Sequence, residues 1–138
     1  MDESLAEEVR QRARYACEYC RMPQLYYPTV TFPIDHIISC QHGGPTVLSN
    51  LALSCLHCNS HKGPNIAGLD PRTRKLTPLF HPRRHKWSRH FRWVGPEMVG
   101  RTSIGRVTIV VLALNAPEYV EVRAALIEEG RFPPATSE

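Results

Sequence analysis

The stretch Cys55–Gly63, CLHCNSHKG, holds two cysteines at a C-x-x-C spacing, then an asparagine, a histidine and a lysine. A second pair, Cys17 and Cys20 in CEYC, lies upstream, with 34 residues between the pairs. Each pair sets two thiolates on one turn, and two turns complete a tetrahedral sulfur shell for Zn²⁺. A redox C-x-x-C needs a thioredoxin-like βαβ context, which this sequence does not offer. The gap exceeds that of a zinc ribbon, so a sub-structure must sit between the halves of the clamp. Zinc binding is worth ~10–16 kcal/mol in small peptides, against ~5–15 kcal/mol of net stability for a typical domain. Cys17, Cys20, Cys55 and Cys58 therefore read as a structural zinc site. Cys40 is left over and reads as a small buried apolar residue.

Between the pairs runs FPIDHIISCQHGGPTVLSNLAL, and it carries residues of a different kind. Metal-assisted hydrolysis asks for an activated water, a cation for the charge growing in the transition state, and stabilisation of the leaving group. His36 is able to take a proton from water near neutral pH. Asp35 offers a hard, charged oxygen to a divalent cation. Asp35-His36, a Gly-Gly loop, Asn50-Leu51, Cys-x-x-Cys-Asn and Lys62-Gly63, in that order, resemble the HNH endonuclease family over Cys17–Gly63, about a third of the chain. The later segments GPNIAGLDP, LFHPRRHKWSRHFRW and TSIGRVTIVVLALN also resemble the tails of small bacterial HNH proteins.

That resemblance implies a ββα-metal fold: two short strands joined by a loop, packed on one helix, with a single divalent ion between strand and helix. It implies a catalytic set of His36 as general base, Asn50 holding the loop and orienting the base, and Asn59. Asp35 and Asn59 would hold the catalytic ion. Asn59 stands where other members carry histidine, and an amide oxygen is a harder ligand than imidazole, so Mg²⁺ or Mn²⁺ is expected. Asn59 and Lys62 share a helical face, which would put Lys62 on a phosphate beside the metal. His61 lies about 200° around the helix from Asn59 and is expected to point away. His42, His57 and His61 are expected to face solvent or a phosphate. His81 and His85 have a spacing that could bind metal, but Arg83, Arg84 and Lys86 around them favour phosphate instead.

The net charge of +4 is modest but unevenly spread: Arg72–Arg92 holds eight Lys or Arg, three His and no acidic residue. Interleaved with Phe80, Trp87 and Phe91, this run points to a polyanion partner. The expected partner is double-stranded DNA, gripped by Lys62, Arg83, Arg84, Lys86, Arg89 and Arg92. A homodimer would bring two sites to the two strands. One rival reading is a non-catalytic zinc module that binds nucleic acid, which has no need of Asp35, His36 and Asn59 in register. Another is a protein–protein adaptor, which has no need of an acid-free basic run.

These residues need elements to position them. The expected fold is α+β, one domain over 1–138, with an HNH core at 15–66, a basic DNA-contacting segment at 67–100 and C-terminal helices over 101–130. Ser4 and Glu7 resemble a capping box for a helix from Leu5 to Arg14. Thr29–Ile38 and Leu51–Ser54 read as extended, Cys40–Ser49 as a loop, and a helix is expected just after Cys58, ended by Pro64. Gly68–Arg92 reads as irregular, with an extended piece near Arg89–Val94. Thr102 is expected to cap one helix through Leu114, and Asn115 to cap another with Val120, Ala124 and Ile127 inward. The tail from Arg131 is expected to fray. The chain opens without a secretory signal, and Val107–Leu114 falls far short of the ~20 apolar residues of a membrane span. The expected location is therefore the cytoplasm, with no membrane partner.

Overall fold

Asp2, not Ser4, caps the first helix: its Oδ1 accepts from Ser4 N at 3.1 Å, and α1 runs Glu3–Arg12. Glu7 accepts instead from the Tyr15 hydroxyl. A computed structural model describes residues 1–135. They form a mixed assembly of helices and small sheets, an α+β fold.

The first sheet is short. β1 (Ile34–His36) pairs antiparallel with β2 (Leu51–Leu53), in the register Ile34↔Leu53, Asp35↔Ala52 and His36↔Leu51. The expected extension back to Thr29 is absent because Gln24 organises that stretch as a loop. Its side chain donates to Tyr27 O (2.9 Å) and Val30 O (2.7 Å) and accepts from Phe32 N (2.7 Å). α2 (Leu56–Lys62) starts three residues earlier than expected. Cys55 is its N-cap, the Sγ accepting from Cys58 N at 3.4 Å, so a cysteine of the clamp also starts the helix. Gly63, at φ +50°, and Pro64 then end it.

The basic segment is more regular than expected. β3 (Ala67–Leu69) and β4 (Leu76–Pro78) form a hairpin, as do β5 (Phe91–Val94) and β6 (Glu97–Gly100), with the short α3 (Trp87–His90) between them. Composition hid the first hairpin because its turn is built around Asp70, whose carboxylate collects the backbone N–H groups of Arg72 and Thr73. α4 (Ser103–Val111) is capped by Thr102 as expected, Oγ1 accepting from Gly105 N at 3.1 Å.

Asn115 does not cap α5 (Pro117–Glu128); Ala116 holds that position. The Asn115 amide pairs with Met98, accepting from its N and donating to its O, both at 2.8 Å. The inward face of α5 is Tyr119, Val122, Arg123 and Leu126, with Ala124 exposed. A buried arginine sets that face, which an apolar pattern does not reveal. Arg123 is 1% exposed, donates to Pro96 O at 2.7 Å and stacks over Trp93. Beyond α5, Phe132 is buried against Trp93, so the chain is anchored past Arg131; residues 136–138 lie outside the described residues. One connected set of buried side chains joins Val9 of α1, Tyr19 and Phe32, Leu51 and Leu53 of β2, Phe80, Phe91, Met98 and Val107 of α4. Among the described residues, no helix is long and apolar enough to cross a membrane.

Candidate nuclease site and zinc centre

The two C-x-x-C turns meet. The Sγ atoms of Cys17, Cys20, Cys55 and Cys58 all lie within 4.8 Å of one another, and all four residues are buried. Cys20 Sγ and Cys55 Sγ are 3.7 Å apart, too far for a disulfide of about 2.05 Å. Four sulfurs at about 2.3 Å from a tetrahedral zinc would be about 3.8 Å apart, so the cluster fits that ion. Backbone N–H groups of Cys20 and Cys58 point at Cys17 Sγ (3.5 Å) and Cys55 Sγ (3.4 Å), which supports thiolates there. Cys40, expected to be buried, is exposed, because it opens a short helical turn, Cys40–His42, on the surface of the loop.

Strand alternation separates Asp35 from its neighbour. Asp35 turns inward and is 5% exposed. Its Oδ2 accepts from the Tyr19 hydroxyl at 2.7 Å, and its Oδ1 from Lys62 Nζ at 3.2 Å. Burial raises the Asp35 carboxyl above its ordinary range, while Lys62 and Tyr19 oppose that shift. Tyr19 is raised well above its usual value by burial and then by the Asp35 charge. Lys62 does not reach outward to a phosphate. It is 1% exposed, and Nζ also donates to the carbonyls of His36 (3.2 Å) and Ile37 (3.0 Å), tying α2 to the end of β1.

His36 faces the other way and is partly exposed, with Nε2 2.9 Å from Thr46 Oγ1 in the loop. Asn50 fixes that loop. Its Oδ1 accepts from Ile38 N, and its Nδ2 donates to Ile38 O and Pro45 O, each at 2.9 Å. Gly44 must be glycine, since a Cβ there would stand 1.7 Å from Ile38 O and 2.9 Å from Asn50 Nδ2. Asn59, half-buried on α2, makes no side-chain hydrogen bond among the described residues and is available to a ligand.

Asp35 has both oxygens engaged, by Tyr19 and by Lys62, whereas the Asn59 amide is unengaged; among the described residues no hydrogen bond joins the two. His61 Nδ1 is 2.9 Å from His57 O, and its ring lies 4.2 Å from that of His57. His57, expected at solvent or phosphate, is a packing residue with Nε2 2.8 Å from Ala113 O and its ring against Tyr119.

The expected nucleic-acid contacts divide. Arg84, Lys86, Arg89 and Arg92 are exposed. Arg83 instead pairs with the buried Glu18. His81 and His85 do not offer themselves to phosphate through Nδ1. His81 Nδ1 accepts from Arg83 N (3.2 Å) and Arg84 N (3.3 Å), and His85 Nδ1 from His81 N (2.9 Å). Burial, then the Arg84 charge, lowers His81 to about 4 and lowers His85 as well, so both are neutral at pH 7. Tyr19 and Thr46 are the partners that motif reading missed. An aromatic residue inside CEYC and a hydroxyl ten residues after His36 were the only signals available.

Residues 17–65 match the family model described as HNH endonuclease. No curated protein and no solved structure matches the chain.

Proposed function

We propose that the chain, whose residues 17–65 match the HNH endonuclease family model, is a metal-dependent endonuclease hydrolysing phosphodiester bonds in double-stranded DNA. The observation that carries this reading is the pairing of His36, partly exposed on β1, with a loop locked by three Asn50 hydrogen bonds. When Nε2–H of His36 is donated to Thr46 Oγ1, Nδ1 is the nitrogen left to take the proton of the attacking water. Asn50 fixes the loop, and through Thr46 it fixes the plane of the ring. Asp35 and Asn59 would hold the catalytic ion, Mg²⁺ or Mn²⁺, which supplies Lewis-acid stabilisation of the phosphate oxygens. Lys62 keeps β1 and α2 at a fixed separation, so the ligands on the two elements stay aligned. The four-cysteine site would carry structural zinc and hold the start of α2. The exposed Arg84, Lys86, Arg89 and Arg92 would meet the DNA backbone.

The test is zinc-loaded protein with plasmid and Mg²⁺ or Mn²⁺. His36→Ala should keep the fold and DNA retention and lose about 10²–10⁴-fold in rate, the span for a missing acid–base group. Wild-type cleavage by this variant removes His36 from the mechanism. Calorimetry on zinc-loaded protein should show Asn59→Ala losing the second metal and His61→Ala keeping it. Asn59→His should shift preference towards softer transition metals.

A second reading, a non-catalytic zinc module that binds nucleic acid, is favoured by one observation: Tyr19 and Lys62 already engage both oxygens of Asp35. DNA retained but uncut in both metals would select it.

A further inference from the structure

The Cys17–Cys20 turn, the end of α1 and the Phe80–Lys86 segment form a cleft of about 460 Å³, and none of the four cysteines is among its lining residues. Arg12, Arg21, Arg83, Arg84 and Lys86 line it against a single carboxylate, Glu18. That carboxylate is already committed. Glu18 Oε1 is paired with Arg83, and Oε2 accepts from Leu53 N at 2.9 Å. Arg12 donates its two terminal nitrogens to Leu48 O (3.0 Å) and Leu51 O (2.7 Å). Its Nε, and Nη1 of Arg83, are buried and have no hydrogen-bond partner among the described residues. Buried donors are almost always paired, so two orphan donors on arginines that line the cleft leave those guanidiniums short of acceptors. Burial and the facing Arg83 charge lower Arg12, in keeping with more positive charge than the cleft neutralises. The neutral His85 beside them adds none.

We propose that this cleft holds one phosphate group of the nucleic-acid strand, at a subsite separate from the bond being cut. The substrate class rests on the nuclease reading; the site itself rests on the arginine geometry. The cleft shares Phe80, Arg84 and His85 with a second hollow of about 290 Å³, which is also lined by Ile37, Ile38 and Lys62. A strand anchored in the arginine cleft is thereby led towards the end of β1, which carries His36. Guanidinium forks match phosphate oxygens in pairs. The exposed Arg84 and Lys86 lie where they can close on the anion from the rim. This differs from a general basic surface, because Arg12 and Arg21 come from outside the acid-free run and would turn a charged face into a concave receptor.

The experiment uses zinc-loaded His36→Ala protein without Mg²⁺ or Mn²⁺, so that nothing is cut. Inorganic phosphate is titrated by calorimetry at constant ionic strength, then repeated with a 5′-phosphorylated single-stranded oligonucleotide already bound. Arg84→Gln with Lys86→Gln should weaken phosphate binding about tenfold or more. The control pair Arg72→Gln with Arg74→Gln removes the same charge from exposed residues outside the cleft and should change it little. Equal losses in the two pairs, or no phosphate binding by the parent protein, overturn the proposal. Oligonucleotide that blocks phosphate supports the strand as source; phosphate that still binds at full strength overturns that source. Separate cleavage by the otherwise wild-type protein keeps the readings apart. Active protein with cleft variants indifferent to phosphate rejects the cleft alone. Inactive protein with cleft-dependent phosphate binding rejects the nuclease alone.

Discussion

The segment from Cys17 to Asn65 and the segment from Ala67 to Gly100 differ in what their polar residues are for. In the first, the two cysteine pairs sit at a spacing suited to ligand geometry, and the four thiols meet. In the second, the signal was only a density of positive charge. There the fold commits Arg83 to Glu18 and seals the Nδ1 atoms of His81 and His85 with backbone N–H groups, leaving Arg84, Lys86, Arg89 and Arg92 outside. Spacing constrains direction; charge density does not. Lys62 is the instructive exception inside the first segment. It was placed by helical face alone, and that face turns into the core, onto Asp35.

The largest effect should come from breaking the clamp. Cys17→Ser or Cys55→Ser removes one of the four thiols that could hold a structural zinc, an ion worth as much as a whole domain's stability, and in Cys55 also the cap of α2. Metal analysis should find zinc lost, and circular dichroism should find most of the fold lost with it. Cys40→Ser, at an exposed thiol, should keep both. Folded protein without zinc would remove the premise of the first half of the comparison.

Next in size is Lys62→Met. Lys62 and Asp35 are 1% and 5% exposed, and removing one partner of a buried ion pair costs about 3–5 kcal/mol. Denaturant midpoints should report that loss, and Lys62→Met with Asp35→Asn should recover much of it, since the orphaned charge is gone. Lys86→Met, on the exposed side of the basic segment, should change stability by less than about 0.5 kcal/mol. A Lys62 variant as stable as Lys86→Met would return that side chain to the surface.

Much of the core was readable because each device there is local. Two residues separate the members of a cysteine pair, a Gly-Gly loop must close on Asn50, and Thr102 caps the helix that follows it. What escaped was long-range and polar. Asn115 looks like a helix cap, yet its amide is engaged by Met98, 17 residues away. Arg123 looks solvent-facing, yet the carbonyl of Pro96 and the ring of Trp93 offset the cost of its burial. No periodicity announces a guanidinium inside a core, because the pattern of apolar residues simply has a gap there. The same blindness hid Arg12 and Glu18, whose partners lie 35 to 65 residues away.

Asp70 and Arg106 carry the comparison into the hairpin that composition read as irregular. Asp70 accepts from Arg106 Nε at 2.9 Å and Nη2 at 2.8 Å, and these bonds, ahead of those from Thr73 and Arg72, hold its carboxyl well below the usual range. A depressed folded pKa means stability that is complete above the ordinary carboxylate value of ~3.9 and lost as pH falls towards the folded one. Acid unfolding of the wild type should therefore steepen below about pH 4. Asp70→Asn should lower stability at neutral pH and remove that component of the acid transition. An identical acid profile in the variant would mean that the β3–β4 turn is not held by this pair.

The smallest expected effect lies at His81 and decides whether it belongs to the fold or to a ligand. With Nδ1 accepting from the backbone of Arg83 and Arg84, the ring is held neutral, and its pKa falls to about 4 from burial and then from the Arg84 charge. An unfolded histidine takes its proton near 6.5. Between pH ~6.5 and about 4 the unfolded chain therefore binds a proton that the folded one refuses, and stability declines as pH drops through that window. Above it, the contribution is complete and flat. His81→Asn keeps an acceptor close to Nδ1 without a titrating ring, so its melting temperature should depend less on pH in this window. A histidine resting on phosphate would behave oppositely, with a pKa raised by the anion and a variant that alters the salt dependence of DNA binding. Following the His81 ring by NMR from about pH 7 to about pH 3.5 separates the two. Titration near 4 leaves it in the fold, and titration above ~6.5 in the presence of phosphate returns it to the binding surface.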